Sequence, residues 1–458
     1  MATALQFIQD EMMSEAEEQP RIRTLARYFF ATFWLIVFTG ALRKWIAPGF
    51  KLLYLAQDVP IFGAYFYALR AGLVQRTVLG AGILFFSFIL VLQGLLQIMM
   101  QVVTPFVALV GFHHYLMYLP MMLVFPVCLT DEYRRKFIGW DLLLSLPMCA
   151  LAVAQSLFPA SAFINQTTEG EAMGLSGSDA VRVSGTFNFT GFYGLWVALA
   201  LSLCIGEWLQ PKHKRVFKST KLLVACTVAV NLCNLISGSR SAILLSLGAI
   251  AGGALVAVLK GSARTIAAFL AFILLLPAFV AITAWIAPHE YDIVTERFTG
   301  DRYTQEAKHR VSEIAIGFII APPLTLVGKG IGMGIDAAHI GTTGGYQLTY
   351  SLSEWDTERT VFELGTLVGL FYVFTRLLFA LGMIGLGVWL VQRGGPPHVI
   401  PIATYSFLQC FLGDLTRFGT MTMTQILLGY AFILGAYFHF NNEAGQELMA
   451  APNLMRSV

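Results

Sequence analysis

Residues 265–287 read TIAAFLAFILLLPAFVAITAWIA, an uncharged apolar stretch long enough to cross a bilayer as one helix. Similar stretches recur along the 458-residue chain, in which 57% of residues are hydrophobic and 12% are charged. Soluble domains have about 25% charged residues. The sequence therefore excludes an ordinary soluble protein and predicts an all-α polytopic membrane protein with about twelve transmembrane helices. The predicted spans are 28–45, 52–69, 78–101, 105–129, 137–157, 190–208, 221–237, 241–259, 265–287, 362–391, 399–418 and 421–439.

One large polar segment interrupts the series of apolar stretches before the tenth predicted span. The first residues mix acidic and basic side chains, and they lack the basic-then-apolar order of a cleavable signal peptide. They are therefore interpreted as a cytoplasmic tail. The predicted organisation is a tail at 1–27, transmembrane helices 1–9 at 28–287, an outer segment at 288–361, transmembrane helices 10–12 at 362–440 and a second cytoplasmic tail at 441–458.

Basic residues are distributed unevenly between the two sides of the predicted bundle. With a cytoplasmic N-terminus, every short loop on that side carries Lys or Arg, as the positive-inside rule requires. The segments 158–189 and 288–361 then lie outside, and long segments translocate largely regardless of their charge. One short outer loop departs from this pattern, because it carries the basic residues Arg43, Lys44 and Lys51. The cytoplasmic basic residues are predicted to be Arg70, Arg76, Arg134, Arg135, Lys136, Lys212, Lys214, Arg215, Lys218, Lys260, Arg264 and Arg393.

Net charge and cysteine placement bear on two further classes of function. The chain has 30 basic and 27 acidic residues, a formal net charge of +3, which does not indicate a nucleic-acid partner. The six cysteines lie in or at the ends of apolar stretches without CxxC or zinc-type spacing, so they are predicted to be packing residues. No metal ion or cofactor is predicted.

Charged residues inside spans are candidates for functional sites because they are costly to insert. Arg376 lies near the middle of the tenth predicted span, and Asp414 and Arg417 lie near the outer end of the eleventh. A structural ion pair, in which Asp414 neutralises Arg417 or Arg376, is the alternative to a functional role. Gly248 and Gly252, at GxxxG spacing, are predicted to pack against a neighbouring helix of the same bundle.

Several other polar residues in or near the spans are given structural interpretations. Asp58, Asp141 and Glu207 lie close enough to span ends that solvation is expected. His113 and His114 have no second metal ligand nearby in sequence, which favours a polar contact within the bundle over a metal site.

The turn Ser237-Gly238-Ser239-Arg240-Ser241 joins two apolar helices on the predicted outer side. Its small hydroxylated residues leave the Arg240 guanidinium reachable and add hydrogen-bond donors, which suits an anionic oxygen ligand. Contact with lipid head groups is the alternative interpretation.

The outer segment contains two further patterns of interest. Gly328-Lys329-Gly330-Ile331-Gly332-Met333-Gly334 resembles a nucleotide loop only weakly, and it is predicted to be a flexible outer turn. Glu354 and Glu358, at i and i+4, would share a helix face with Arg359 alongside. A carboxylate in such a setting can accept a proton from a sugar hydroxyl, and a solvated run of charges is the alternative.

Four segments between about residues 180 and 375 together resemble the O-antigen polymerase and O-antigen ligase group of bacterial envelope proteins. Before these residues the resemblance is mainly in hydropathy, aided by Leu42-Arg43-Lys44-Trp45 and Asp58. The four segments are Arg182 with Gly185-Thr186-Phe187-Asn188, the turn at 237–241, Arg310 followed by Pro322, Pro323, Gly328, Gly330 and Gly332, and Glu363-Leu364-Gly365 at the opening of the tenth span.

The resemblance implies metal-independent, inverting glycosyl transfer at the outer face of the bacterial inner membrane, on a fold similar to the C-type glycosyltransferases. The implied donor is an undecaprenyl-diphosphate-linked oligosaccharide, and the segment 288–361 would be catalytic. Arg182 and Arg240 match the diphosphate-binding arginines of the family, and Arg310, Arg359 and Arg376 are added from their local sequence alone. Fixed guanidinium groups can stabilise a diphosphate leaving group.

The chain departs from the ligases at the position of the base. The ligases carry a histidine shortly before their Glu-x-Gly sequence, whereas this chain has Glu354 there. Glu354 is therefore the predicted base, with Glu358 as its substitute. His309 and His339 lie elsewhere in the outer segment, and a folded loop could bring either into the site.

Polymerisation of lipid-linked repeat units into O-antigen or exopolysaccharide is the leading interpretation. The alternatives are ligation of a finished glycan to lipid A core or another acceptor, a lipid-linked glycan transporter, and a structural scaffold. The expected partners are the undecaprenyl-diphosphate-linked glycan, membrane lipid and other polysaccharide-assembly proteins.

Overall fold

The computed structural model is helical and has no β-strand in the part of the chain that it describes. The described residues are 2–74, 77–168, 181–286, 288, 291–292, 295, 325–334, 356–412 and 419–450.

Long apolar stretches form long helices throughout the described residues, and several of these helices contain a proline. The first helices are α1 (Ala2–Ala41), α2 (Asp58–Arg70), α3 (Val78–Met99), α4 (Pro105–Leu116), α5 (Met121–Cys128), α6 (Asp131–Leu157) and α7 (Thr190–Leu209). They are followed by α8 (Thr220–Ile236), α9 (Arg240–Lys260), α10 (Ala263–Ile286), α11 (Asp356–Leu364), α12 (Thr366–Gln392), α13 (Val399–Leu412) and α14 (Gly419–Ala450). Shorter helical turns lie at Leu42–Ile46, Lys51–Leu55, Phe163–Asn165 and Lys212–Lys214.

Ten helical segments among the described residues are long and apolar enough to cross a membrane. This confirms the predicted polytopic membrane protein. Two shorter apolar helices, Thr220–Ile236 and Val399–Phe411, fall at the positions of the seventh and eleventh predicted spans, so the total of twelve stays a prediction. The ten segments are Pro20–Ile46, Leu52–Arg70, Val78–Met99, Pro105–Cys128, Asp131–Leu157, Thr190–Leu209, Arg240–Lys260, Ala263–Ile286, Thr366–Gln392 and Met421–Asn441.

Close glycine contacts fix the relative directions of the central helices. A methyl group added at Gly194 of α7 would lie 2.8 Å from the Ala242 side chain at the start of α9, so these two helices begin together. Added at Gly252 of α9, it would lie 2.4 Å from Thr404 near the start of α13. The second half of α9 thus lies beside the start of α13, so the two helices are antiparallel. The same contact shows that Gly252 packs against a neighbouring helix of the bundle, as predicted.

A similar contact places the start of α12. A methyl group added at Gly387, in the last turns of α12, would lie 3.2 Å from Ile400 near the start of α13. It follows that α7, α9 and α12 all begin at one end of the bundle, which is called here the site end. The opposite end, where α7 and α9 finish, is called the basic end.

The basic end brings together loops that the sequence predicts to be cytoplasmic. Arg135 of α6 donates hydrogen bonds to the carbonyl oxygens of Lys214 (2.7 Å) and Arg215 (3.0 Å) in the loop after α7. The positive-inside rule predicts that this end faces the cytoplasm, and the site end therefore the periplasm.

Lys44 is one of the basic residues that depart from the expected charge distribution. Its side chain is buried, and Nζ donates to Ser184 Oγ at 3.1 Å and to the Gly185 carbonyl at 2.6 Å. Through these two hydrogen bonds the buried Lys44 side chain joins the end of α1 to the segment before α7.

The prediction that three carboxylates near span ends are solvated is wrong. Asp58, Asp141 and Glu207 are 5%, 0% and 1% exposed. Asp141 accepts a hydrogen bond from Trp196 Nε1 at 2.9 Å, and Glu207 accepts one from the backbone N–H of Val216 at 2.7 Å. The helices pack closely around these positions, so the three carboxylates are removed from bulk solvent.

The polar contact predicted for the histidine pair is confirmed. His113 Nε2 lies 2.9 Å from Asp58 Oδ2, and Tyr118 donates to Asp58 Oδ1 at 2.7 Å.

The interpretation of the cysteines as packing residues is also confirmed, since five are buried, Cys149 is half-buried and all six are free thiols.

Candidate functional site

The segment before α12 is a short helix that ends in a sharp corner. Gly365 separates α11 from α12 with a φ of +80°, a conformation that glycine adopts without a Cβ penalty. The sequence Glu363-Leu364-Gly365 was expected to open the tenth span, but Glu363 and Leu364 form the last turn of α11. The corner turns the Glu363 side chain into protein.

Glu363 is fully buried and accepts three hydrogen bonds. Its Oε2 accepts from the backbone N–H of Gly332 at 2.9 Å and from the Tyr115 hydroxyl at 3.0 Å. Its Oε1 accepts from the N–H of Gly334 at 2.7 Å. The carboxyl therefore joins α11 to the glycine-rich loop and to α4.

Two glutamines of α3 hold the same loop and the end of α11 through backbone groups. Gln93 Nε2 donates to the carbonyl oxygens of Val327 (2.7 Å) and Leu364 (2.8 Å). Gln97 Nε2 donates to the carbonyls of Val327 and Glu363, and its Oε1 accepts from the Ile331 N–H at 2.7 Å. With i, i+4 spacing, the two amides satisfy backbone groups that would otherwise be buried without partners.

The prediction of a flexible outer turn at 328–334 is wrong, because this loop is packed. Gly332 has a φ of +89°, and a methyl group added there would lie 2.4 Å from the Val107 carbonyl oxygen. The N–H groups of Gly332 and Gly334, which resemble those of an anion-binding loop, are occupied by the chain's own Glu363. The hydrogen bonds to Glu363 therefore account for the glycine-rich sequence of the loop, and a bound nucleotide is not needed to explain it.

Burial changes the acidity of Glu363, which lies outside the membrane-spanning helices. Removal from water raises its pKa from 4.5 to about 7, against the opposing effects of the Gly332 N–H and of Arg359. Arg359 is itself 1% exposed, and its aliphatic carbons pack on Gly334. Burial therefore favours the neutral form of this carboxyl group more than solvent would.

Arg376 of α12 forms an ion pair with Asp356 at the start of α11. The Asp356 side chain is fully buried and that of Arg376 is 9% exposed. Only Nη1 of Arg376 reaches Asp356, while Nε and Nη2 have no hydrogen-bond partner in the described part of the chain. Asp414 and Arg417, the pairing partners considered from sequence, lie outside the described residues.

The other predicted site residues are placed as follows. Arg359 and Arg376 come together around Asp356 and Glu363, and Glu358 is half-buried on α11. Glu354, Arg310, His309 and His339 lie outside the described residues.

Arg182 and Arg240 lie at the site end on neighbouring elements. Arg182 is half-buried in the segment that leads into α7, and Arg240 is the half-buried first residue of α9. The hydroxyl groups of the predicted turn bond largely to one another and to the backbone. Ser239 Oγ lies 2.9 Å from Ser241 Oγ, and Ser237 Oγ donates to the Asn234 carbonyl at 2.6 Å.

Sequence reasoning missed Lys44, Gln93, Gln97 and Tyr115 as parts of this end. The glutamines had a usable signal, because two amides one turn apart in an apolar helix require buried partners. Tyr115 had none, since its partner lies far away in sequence. Lys44 had a signal as a departure from the expected charge distribution, but its partners also lie far away in sequence.

The described residues contain no group of three side chains placed to hold a metal ion. No protein-family model, curated protein or solved structure gives a significant match to this chain. Fold and site define an all-helical polytopic membrane protein with a buried cluster of carboxylates and guanidinium groups at one end.

Proposed function

We propose that the protein is a membrane glycosyltransferase of the polysaccharide polymerase type. It joins undecaprenyl-diphosphate-linked oligosaccharide repeat units at the outer face of the bacterial inner membrane, without a metal ion. The observation that carries this proposal is the buried Arg376 guanidinium, which is fixed by Asp356 and keeps Nε and Nη2 without a partner among the described residues. Such donors suit the oxygen atoms of a diphosphate.

The position of the arginines supports a lipid-linked anion. Arg182 and Arg240 belong to the site end, where α7 and α9 begin, and Arg376 lies about three turns further in along α12. A diphosphate attached to a polyprenyl chain would enter from the bilayer and meet guanidinium groups at the end of the bundle. As the glycosidic bond breaks, negative charge grows on this leaving group, and fixed cations stabilise it.

The proton acceptor in this proposal is Glu354, with Glu358 as its substitute. The non-reducing hydroxyl of one unit attacks the reducing-end sugar carbon of another, the diphosphate leaves, and the carboxylate takes the hydroxyl proton. Arg310 and Arg359 are proposed to assist in binding the donor.

The test is product size on a gel after the purified protein is given undecaprenyl-diphosphate oligosaccharide in the presence of a chelator. Wild type is expected to form a ladder, while Arg240→Ala forms none and remains in the membrane at normal abundance. Arg393→Ala is the matched control, because Arg393 is exposed at the basic end and stacks on Trp389. A normal ladder from Arg240→Ala would contradict the mechanism.

The absence of product from wild type, with active donor, would direct attention to ligation or transport. Candidate acceptors such as lipid A core would then be added, since a ligase needs an acceptor to form product. The pair Glu354→Gln and Glu358→Gln identifies the base. The substitution at the base is expected to abolish turnover and to preserve donor binding.

A further inference from the structure

Four neutral polar side chains at the site end carry buried atoms without a hydrogen-bond partner among the described residues. These four, from a larger set at that end that also includes Gln57, Asn165, Tyr193 and Thr360, are Asn188 (Oδ1), Thr190 (Oγ1), Asn234 (Oδ1) and Gln425 (both amide atoms). Leaving such a group unsatisfied destabilises the folded state, and native structures usually satisfy it with protein, water or a ligand. A set of four such groups at one end of a bundle therefore calls for an occupant.

Asn188 and Gln425 are connected through the first turns of α14. Asn188 Nδ2 lies 4.0 Å from the sulfur of Met421. Gln425 follows Met421 by four residues, so it lies one turn deeper on the same face of α14. Its side chain is 5% exposed, and neither amide atom has a partner within the described structure.

Thr190 and Asn234 are connected through the contact between α7 and α8. Tyr193, one turn into α7, lies beside Cys233 in the last turn of α8. Thr190, at the start of α7, and Asn234, next to Cys233, are therefore near the same level of the bundle. The chain continues from Asn234 directly into the turn that carries Arg240.

We propose that Asn188, Thr190, Asn234 and Gln425 form a neutral sub-site for the hydroxyl groups of the sugars attached to the diphosphate. This inference rests on the proposed function and assigns its saccharide-binding part. Amides and hydroxyls both donate and accept hydrogen bonds without charge, as the hydroxyls of a sugar do. Arg182 and Arg240, which lie at the same end of the bundle, would bind the anionic diphosphate.

The test compares the affinities for two lipids, undecaprenyl diphosphate and its oligosaccharide-linked form, for protein reconstituted in nanodiscs. Wild type is expected to bind the sugar-linked lipid more tightly. Gln425→Met has a side chain of similar length and should lose about tenfold in affinity for that lipid, as expected from one lost hydrogen bond. Its affinity for undecaprenyl diphosphate should stay unchanged.

Two further variants make the result specific. Thr190→Val keeps the shape of the side chain and should weaken only the sugar-linked lipid. Gln210→Met, at the end of α7 on the basic end, should behave as wild type. Wild-type affinity of Gln425→Met and Thr190→Val for the sugar-linked lipid would overturn the sub-site. Failure of wild type to bind either lipid would instead overturn the proposed function on which it rests.

Discussion

The exposed ion pairs of the basic end differ from the buried charges of the site end, and the basic end also holds one buried carboxylate, Glu207. At the basic end, Arg135 donates to loop carbonyls, and Lys136 pairs with Glu132 where both side chains are at least half exposed. At the site end, Asp356 and Glu363 are fully buried. Exposed pairs contribute little to stability, whereas buried charges carry a desolvation cost that the surrounding structure must offset.

This difference indicates separate functions for the two ends. Charges in water at the basic end can orient the chain in the membrane without any exact geometry. Charges removed from water at the site end require fixed partners, and they are held by a docked loop and a helix corner. Four predictions test this contrast, from the largest expected effect to the smallest.

The largest effect is expected from breaking the buried ion pair at the site end. Arg376→Met removes the guanidinium that pairs with the buried Asp356 carboxylate, and should reduce the free energy of unfolding by about 3–5 kcal/mol. Adding Asp356→Asn should recover part of this loss, because the buried negative charge is then gone. The measurement is denaturant unfolding in detergent micelles. Wild-type stability of Arg376→Met would show that the pair is not desolvated.

A slightly smaller effect is expected from the protonation of Glu363. Because its pKa is about 7 when folded and 4.5 when solvated, the folded state retains a proton that the unfolded state releases. Its contribution to stability is thus fully present below about pH 4.5 and is lost as the pH rises to about 7. The shift corresponds to roughly 3 kcal/mol.

Melting temperature measured from pH 5 to pH 8 tests this coupling. Wild type should lose stability as the pH rises, while Glu363→Gln should show a flatter profile because it has no proton to release. Identical profiles for the two proteins would contradict the assignment of the pH effect to Glu363.

A moderate effect is expected at the docked loop. Gly332→Ala places a methyl group 2.4 Å from the Val107 carbonyl in a backbone conformation that alanine disfavours, and should cost about 2 kcal/mol. Gly49→Ala is the control, since it has a similar φ of +78° and open space around it. Equal losses from both variants would attribute the effect to φ alone and not to packing.

The smallest effect is expected at the basic end. Lys136→Gln removes an exposed i, i+4 pair with Glu132 and should leave the melting temperature unchanged. A clear loss of stability would mean that the two ends differ less than the burial of their charges indicates.

The sequence predicted the helices better than their connections. Uncharged stretches such as 265–287 identify spans directly, because a bilayer tolerates only a helix whose backbone groups are satisfied internally. The glycines at 328–334 suggested a flexible loop, because glycine allows many backbone conformations. The sequence did not show that other parts of the chain pack against this loop.

The candidate site was predicted in part. Arg376 was recognisable as a charge inside an apolar span, but its partner Asp356 lies 20 residues away across a helix corner. Asp58, Asp141 and Glu207 were expected in water because they are near span ends. Their burial depends on which helices pack beside them, which no local pattern contains.

The sequence by itself determined that this chain is an all-helical polytopic membrane protein, because hydropathy is a local property and the bilayer acts on each stretch separately. Only the tertiary structure decided that Glu363 binds the glycine loop and that Lys44 bonds to Ser184 and Gly185. These contacts join residues that are distant in sequence. Burial, which sets both the cost of a charge and its partner, arises only when the helices pack together.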